Sequence, residues 1–202
     1  MKENLTEIVV IIDASGSMHN FSSDTIGGFN AFIEEQKKLP GEANITLATF
    51  NGIDPNNIVF DGLNIQDCHG LSSDNYKPDG MTPLYDAVGN AISVVGKRLA
   101  QIPEEERPSK VLFLITTDGL ENCSKDYTRE KIKNMIYHQK SKYNWEFVFT
   151  GANIDSASVA DSMNISSSIS YDQNNTSNLY RDIFNTVATS FRSSGKIDIE
   201  EK

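Results

Sequence analysis

Two runs of five uninterrupted apolar residues, Ile8–Ile12 and Val111–Ile115, constrain this chain more than any other feature. Neither alternates in polarity, so each reads as a strand buried on both faces. Such a strand needs helices above and below it, and the remaining sequence supplies them. Asp24–Leu39 sets Ile26, Phe29, Phe32, Ile33 and Leu39 at helical spacing and stops at Pro40-Gly41. Pro83–Ile102 keeps Leu84, Val88, Ala91, Ile92, Val95, Leu99 and Ile102 on one face, with Thr82-Pro83 reading as a cap and first-turn proline. Thr128–Tyr143, Ile154–Met163 and Ser177–Phe191 complete the helices. Ile45–Phe50 and Ile58–Leu63, joined by the turn Asn51–Asn57, read as a hairpin or antiparallel edge. Trp145–Phe149 is a third central strand and Ile169–Tyr171 a short one. The pattern predicts an α/β fold: a doubly wound, mostly parallel central sheet with one antiparallel edge strand and helices on both faces.

A length of 202 residues fits one domain, read as 1–193, with 194–202 a charged tail that frays. The balance of 18 Lys plus Arg against 28 Asp plus Glu leaves a net charge of −10. That charge repels phosphate backbones and no basic run offsets it, so nucleic acid is excluded as a partner; a cation or a basic protein patch fits better. A bilayer span needs about 20 apolar residues, so no membrane helix is expected. The first residues, MKENLTEIVVIID, lack the apolar core of a secretory signal, and Cys68 and Cys123 are too few for a disulfide framework. Both features predict a cytoplasmic protein.

In doubly wound sheets ligands sit beyond the carboxyl ends of the strands, where strand order reverses. The informative polar residues fall there. Asp13-Ala14-Ser15-Gly16-Ser17 follows the first strand, and a carboxylate with two hydroxyls at alternating positions can converge on one hard divalent cation. The same string also suits a turn with a helix cap. Gly80-Met81-Thr82 precedes the strongest helix, where Thr82 either caps the helix or points its hydroxyl across the sheet top. Thr116-Thr117-Asp118-Gly119 ends the second central strand and brings Asp118 toward the same rim. Agreement of three separate segments with one topology favours the cation.

These residues resemble the von Willebrand factor type A (VWA) domain, whose metal-ion-dependent adhesion site (MIDAS) combines a D-x-S-x-S loop, a threonine and an aspartate. On that resemblance, Asp13, Ser15, Ser17, Thr82 and Asp118 are the metal ligands, with no departure from the motif at any ligand position. It covers about Thr6 to Phe191 and implies the Rossmann-like VWA fold. It implies Mg2+, with Mn2+ or Ca2+ as alternatives, and a protein partner that donates an Asp or Glu to the ion. It also implies a free-standing bacterial or phage protein, with an AAA+ ATPase or a stress-system component as the kind of partner. Carboxylates acting through water leave the dication electrophilic enough to attract one from outside.

An enzyme is the competing class: a metal-dependent hydrolase or a phosphoryl-transfer enzyme using the same Asp and Ser residues. Phosphoryl transfer from an aspartyl nucleophile wants a carboxylate at position 15, and Ser15 does not shuttle protons at neutral pH. No nucleophile elbow, P-loop or dinucleotide fingerprint is present. The residues therefore favour a binder over an enzyme. Asp79 and Asp86, which flank Thr82, are read as solvated ahead of orienting waters or hydroxyls at the site, Asn153 as a helix cap ahead of a border to the ligand surface, and Asn51–Pro55 as a turn and nothing more. His19, Asn20 and Phe21 are placed on the recognition surface, and Cys68, His69 and Cys123 are incidental.

Overall fold

The computed structural model describes residues 1–152, 154–172 and 176–197. Six strands are present among them: β1 (Lys2–Asp13), β2 (Glu42–Phe50), β3 (Asn57–Asn64), β4 (Pro108–Thr117), β5 (Glu146–Ala152) and β6 (Ser167–Tyr171). They form one sheet in the order β3-β2-β1-β4-β5-β6. Every pairing is parallel except β2 with β3, so the hairpin supplies the single antiparallel edge.

The two apolar runs occupy the middle of this sheet, paired from Glu7 with Val111 to Ile12 with Thr116. Successive residues point to opposite faces. Ile8, Val10 and Ile12 join Leu112 and Leu114 in the core on one side; Val9 and Ile11 join Phe113 and Ile115 on the other. Residues without polar side chains at every position satisfy both cores at once. The first core is covered by α1 (Ser22–Lys37), through Phe29, Phe32 and Ile33, and by the last helical segment, through Leu179, Tyr180 and Phe184. That segment runs as α5 (Thr176–Asn178), a π-helical turn (Leu179–Phe184) and α6 (Asn185–Ser194).

The second core is covered by α2 (Leu84–Ala100), α3 (Arg129–Tyr143) and α4 (Ser156–Ser162). Helices on both faces make the sheet doubly wound, as the strand pattern predicts. Differences lie at the ends of elements. β1 starts at Lys2 rather than near Glu7, because its first residues pair outside the apolar run, Lys2 opposite Pro108. α2 starts at Leu84, with Pro83 at the cap position and no side-chain cap, so Thr82 is not the expected cap. No helix among the described residues is long and apolar enough to cross a membrane.

Candidate metal centre

From β1 the chain steps outward to β2 and β3, then returns across α2 to β4 on the other side of β1. The carboxyl ends of β1 and β4 therefore flank the point where strand order reverses. The loops leaving them are stitched to the loop before α2. The Gly16 amide donates to the Gly80 carbonyl at 3.0 Å, and the Asp79 amide donates to the Ala14 carbonyl at 2.8 Å. On the far side, the Thr82 amide donates to Asn122 Oδ1 at 2.9 Å and the Asn122 amide to the Thr82 carbonyl at 3.2 Å. Two glycines make the approach possible. Gly80 has φ +68°, a conformation that side chains disfavour, and a Cβ on Gly119 would sit 3.2 Å from Thr82 Oγ1.

This stitching brings the five expected residues to one rim. Asp13 is almost fully buried at the base; its Oδ1 accepts the Ser15 amide at 2.7 Å and its Oδ2 the Thr117 hydroxyl at 2.5 Å. Ser15 Oγ lies 3.0 Å from Ser17 Oγ, and the Ser17 hydroxyl donates to Asp118 Oδ1 at 2.7 Å. Thr82 is buried opposite Gly119, beside Asp118. Depth is graded, from Asp13 and Ser15 inside to Ser17 at the mouth.

The Asp13 carboxyl is raised to about 6: burial pushes it up, the bonds from Thr117 and Ser15 offset part of that push, and the nearby Asp118 charge adds a smaller one upward. Among the described residues no ion pair reaches Asp13. A buried carboxylate beside a second carboxylate and three hydroxyls is an all-oxygen donor set suited to a hard divalent ion. The residues present fit such an ion. No group of three or more His, Cys, Asp or Glu among the described residues forms a metal cluster, so the hydroxyls are essential to this donor set.

Some supporting residues escaped the sequence. Thr117 fixes the Asp13 carboxylate and also accepts the Gly119 amide at 3.1 Å; its signal was adjacency to Asp118. The Tyr76 hydroxyl donates to the Asp13 carbonyl at 2.7 Å from a loop with no periodicity, so no sequence signal pointed to it.

Two expectations are corrected. Asp86 is buried, not solvated: its carboxylate accepts the amides of Lys125, Asp126 and Tyr127 at 2.8–2.9 Å, clamping the segment after β4 onto α2. Three amides from a returning segment replace the water that a first-turn aspartate would otherwise bind. The Asn51–Pro55 segment is more than a turn, because a Cβ on Gly52 would lie 2.6 Å from the Met81 amide nitrogen. Asp79, His19 and Asn20 are exposed and Phe21 half-buried, while Asn153 lies outside the described residues. Replacing Asp86 with Ala is expected to lose about 2–4 kcal/mol in denaturant unfolding, since three buried amides lose a charged acceptor. A loss below about 0.5 kcal/mol contradicts the clamp.

No family model and no curated protein sequence matches the chain. Solved structures do resemble it. Proximal thread matrix protein 1 from the mussel byssus superposes with a TM-score of 0.60 at 18% identity, covering 91% of this chain and 46% of that one. A von Willebrand factor type A protein from Catenulispora acidiphila gives 0.56 at 14% identity, covering 92% and 42%. The pilus adhesin SpaC from Lactobacillus rhamnosus GG, in its open conformation, gives 0.67 at 12% identity, covering 92% and 30%. The mussel protein has also been solved with its MIDAS motif occupied by zinc. The chain spans less than half the length of each of these neighbours. At such identities the likeness is one of fold: this chain has the VWA fold, a Rossmann-like sheet with an antiparallel edge.

Proposed function

We propose that the protein is a metal-dependent protein-interaction module, in which Asp13, Ser15, Ser17, Thr82 and Asp118 hold a divalent cation. The observation that carries this reading is the Ser17–Asp118 hydrogen bond of 2.7 Å, which joins the loop after β1 to the loop after β4 on the rim that also holds the buried Asp13. Mg2+ is the proposed ion, with Mn2+ and Ca2+ as alternatives; the mussel neighbour with a zinc-occupied MIDAS supports a divalent ion in this fold. When bound, the ion supplies an electrophilic position for an Asp or Glu of a partner protein. Asp13 holds charge at the base, Ser15, Ser17 and Thr82 add neutral oxygens without repulsion, and Thr117 and Tyr76 keep Asp13 in place.

The neighbours that are a thread matrix protein and a pilus adhesin support binding over catalysis. The donor set supports it too: no third carboxylate, histidine or cysteine forms a cluster with Asp13 and Asp118 among the described residues, so proton transfer would fall to a ligand itself. Both cysteines are free, which suits the reducing cytoplasm of a bacterial cell, the compartment this reading assigns. Calorimetry with MgCl2 on EDTA-stripped protein is expected to show one site, lost in Asp118→Ala and in Ser15→Ala. Undiminished uptake by both variants overturns the ligand assignment.

A further inference from the structure

Ile53, Met81 and Leu120 are 74%, 51% and 58% exposed. Apart from Met1 at the terminus, they are the large exposed aliphatic side chains among the described residues; the other two large exposed apolar residues, Tyr137 and Tyr143, carry hydroxyls. Single exposed apolar residues are ordinary, but here all three sit on loops bordering one site. Met81 adjoins Thr82, Leu120 lies two residues from Asp118, and Ile53 follows Gly52, whose backbone presses on Met81. The Thr82–Asn122 bonds join the loop of Leu120 to the segment that carries Met81.

The loops of Ile53 and Leu120 are also held by side-chain acceptors. Asn51 Oδ1 accepts the amides of Ile53 and Asp54 at 2.9 and 2.8 Å. Glu121 accepts the amides of Cys123, Ser124 and Tyr85 at 2.7–3.0 Å. An apolar patch on pre-organised loops loses little entropy when it is covered.

Resting on the metal-site reading above, we infer that Ile53, Met81 and Leu120 form an apolar rim around the centre, and that its occupant is a partner segment with an aliphatic side chain within two residues of the coordinating Asp or Glu. Two features select this occupant. The rim is continuous with the site that takes the carboxylate, so one short segment spans both. Its surroundings are acidic, with Asp54, Asp74 and Asp79 outnumbering Lys77, so the rest of the partner surface is neutral or basic and no second carboxylate is favoured.

The test selects a random dodecapeptide phage library on the immobilised, Mg2+-loaded full chain, elutes with EDTA, and repeats with Ile53→Ser/Met81→Ser/Leu120→Ser, whose Mg2+ uptake is followed separately by calorimetry. Expected are EDTA-eluted peptides with Leu, Ile, Val or Met within two positions of Asp or Glu. Those peptides should bind the triple variant about tenfold or more weakly, the loss of roughly one buried aliphatic contact, while Mg2+ uptake is unchanged. Acidic peptides with no aliphatic enrichment, or equal binding to the triple variant, overturn the rim and leave the metal site standing. Apolar peptides that stay bound in EDTA overturn the coupling of rim and ion. Absence of both Mg2+ uptake and enrichment overturns the rim together with the metal-site reading.

Discussion

Replacing Asp13 with asparagine is expected to stabilise the metal-free protein while abolishing its response to Mg2+. The carboxyl moves from its ordinary value of 3.8 to about 6 because burial disfavours the charge. The folded chain thus holds this proton more tightly than the unfolded chain, and the sign follows from linkage. Below about pH 4 Asp13 is protonated in both states and costs nothing. As pH rises from about 4 to about 6 the unfolded chain releases the proton first, stability is lost, and above that range the loss is constant, on the order of 3 kcal/mol.

Asparagine removes this loss and keeps an oxygen for the Ser15 amide. The Thr117 hydroxyl then turns to the Gly119 carbonyl, 2.9 Å away, and accepts from the new amide. The second amide proton offsets part of the gain, leaving on the order of 1–3 kcal/mol at pH 7. Thermal melts in EDTA at pH 4, 5, 6 and 7 check this: the variant's advantage grows with pH and levels off. With MgCl2 the order reverses, since the wild type gains about 4.1 kcal/mol at an ion concentration about a thousandfold above its Kd. A variant that still melts higher on adding MgCl2 removes Asp13 from the donor set.

A second large effect is expected far from the loops that carry Asp13 and Asp118. Glu7, on β1, is fully buried; its Oε1 accepts Arg98 Nη2 at 2.7 Å and the Thr46 hydroxyl at 2.7 Å, while Arg98 Nε donates to Asp61 at 2.7 Å. Arg98 comes from the last turns of α2, so this pair ties that helix to the sheet. Arg98→Ala leaves a buried carboxylate with one hydroxyl partner, and unfolding in urea should show a loss of about 3–5 kcal/mol. Glu7→Gln/Arg98→Met removes both charges and keeps a Thr46 acceptor, so most of that loss returns. Asp13 lies six residue steps along the strand from Glu7, about 20 Å, so Mg2+ uptake stays the same and the two sets of substitutions add. A double variant as unstable as the single one shows that packing of the arginine stem, not its charge, holds α2 down.

The contrast between Asp13 and Glu7 shows what could be read in advance. The D-x-S-x-S loop, Thr82 and Asp118 carry their own signal, because oxygen-rich loops at strand ends have one place to meet in a doubly wound sheet. Glu7 lay just before an apolar run with nothing to say that Arg98, ninety-one positions away, would meet it. Asp86 misled for the same reason. An aspartate in a first helical turn suits water as well as the dipole, and only the returning segment 125–127 makes it a buried clamp. Thr117 and Tyr76 belong with these, since their partner is Asp13 and their distance to it is set by how β4 and the 72–80 loop pack.

Local chemistry alone marked out the strands, the helices and the antiparallel edge and singled out five oxygen-bearing side chains as candidates, since polarity period and loop composition act within a few residues of themselves. Tertiary structure alone decided which of the remaining polar groups lost their water, which amides Asp86 and Glu121 captured, and how Gly52 came to rest on Met81. Desolvation depends on what folds over a group from elsewhere in the chain. That is why Asp13 is a buried charge and Asp79, with the same side chain, an exposed one.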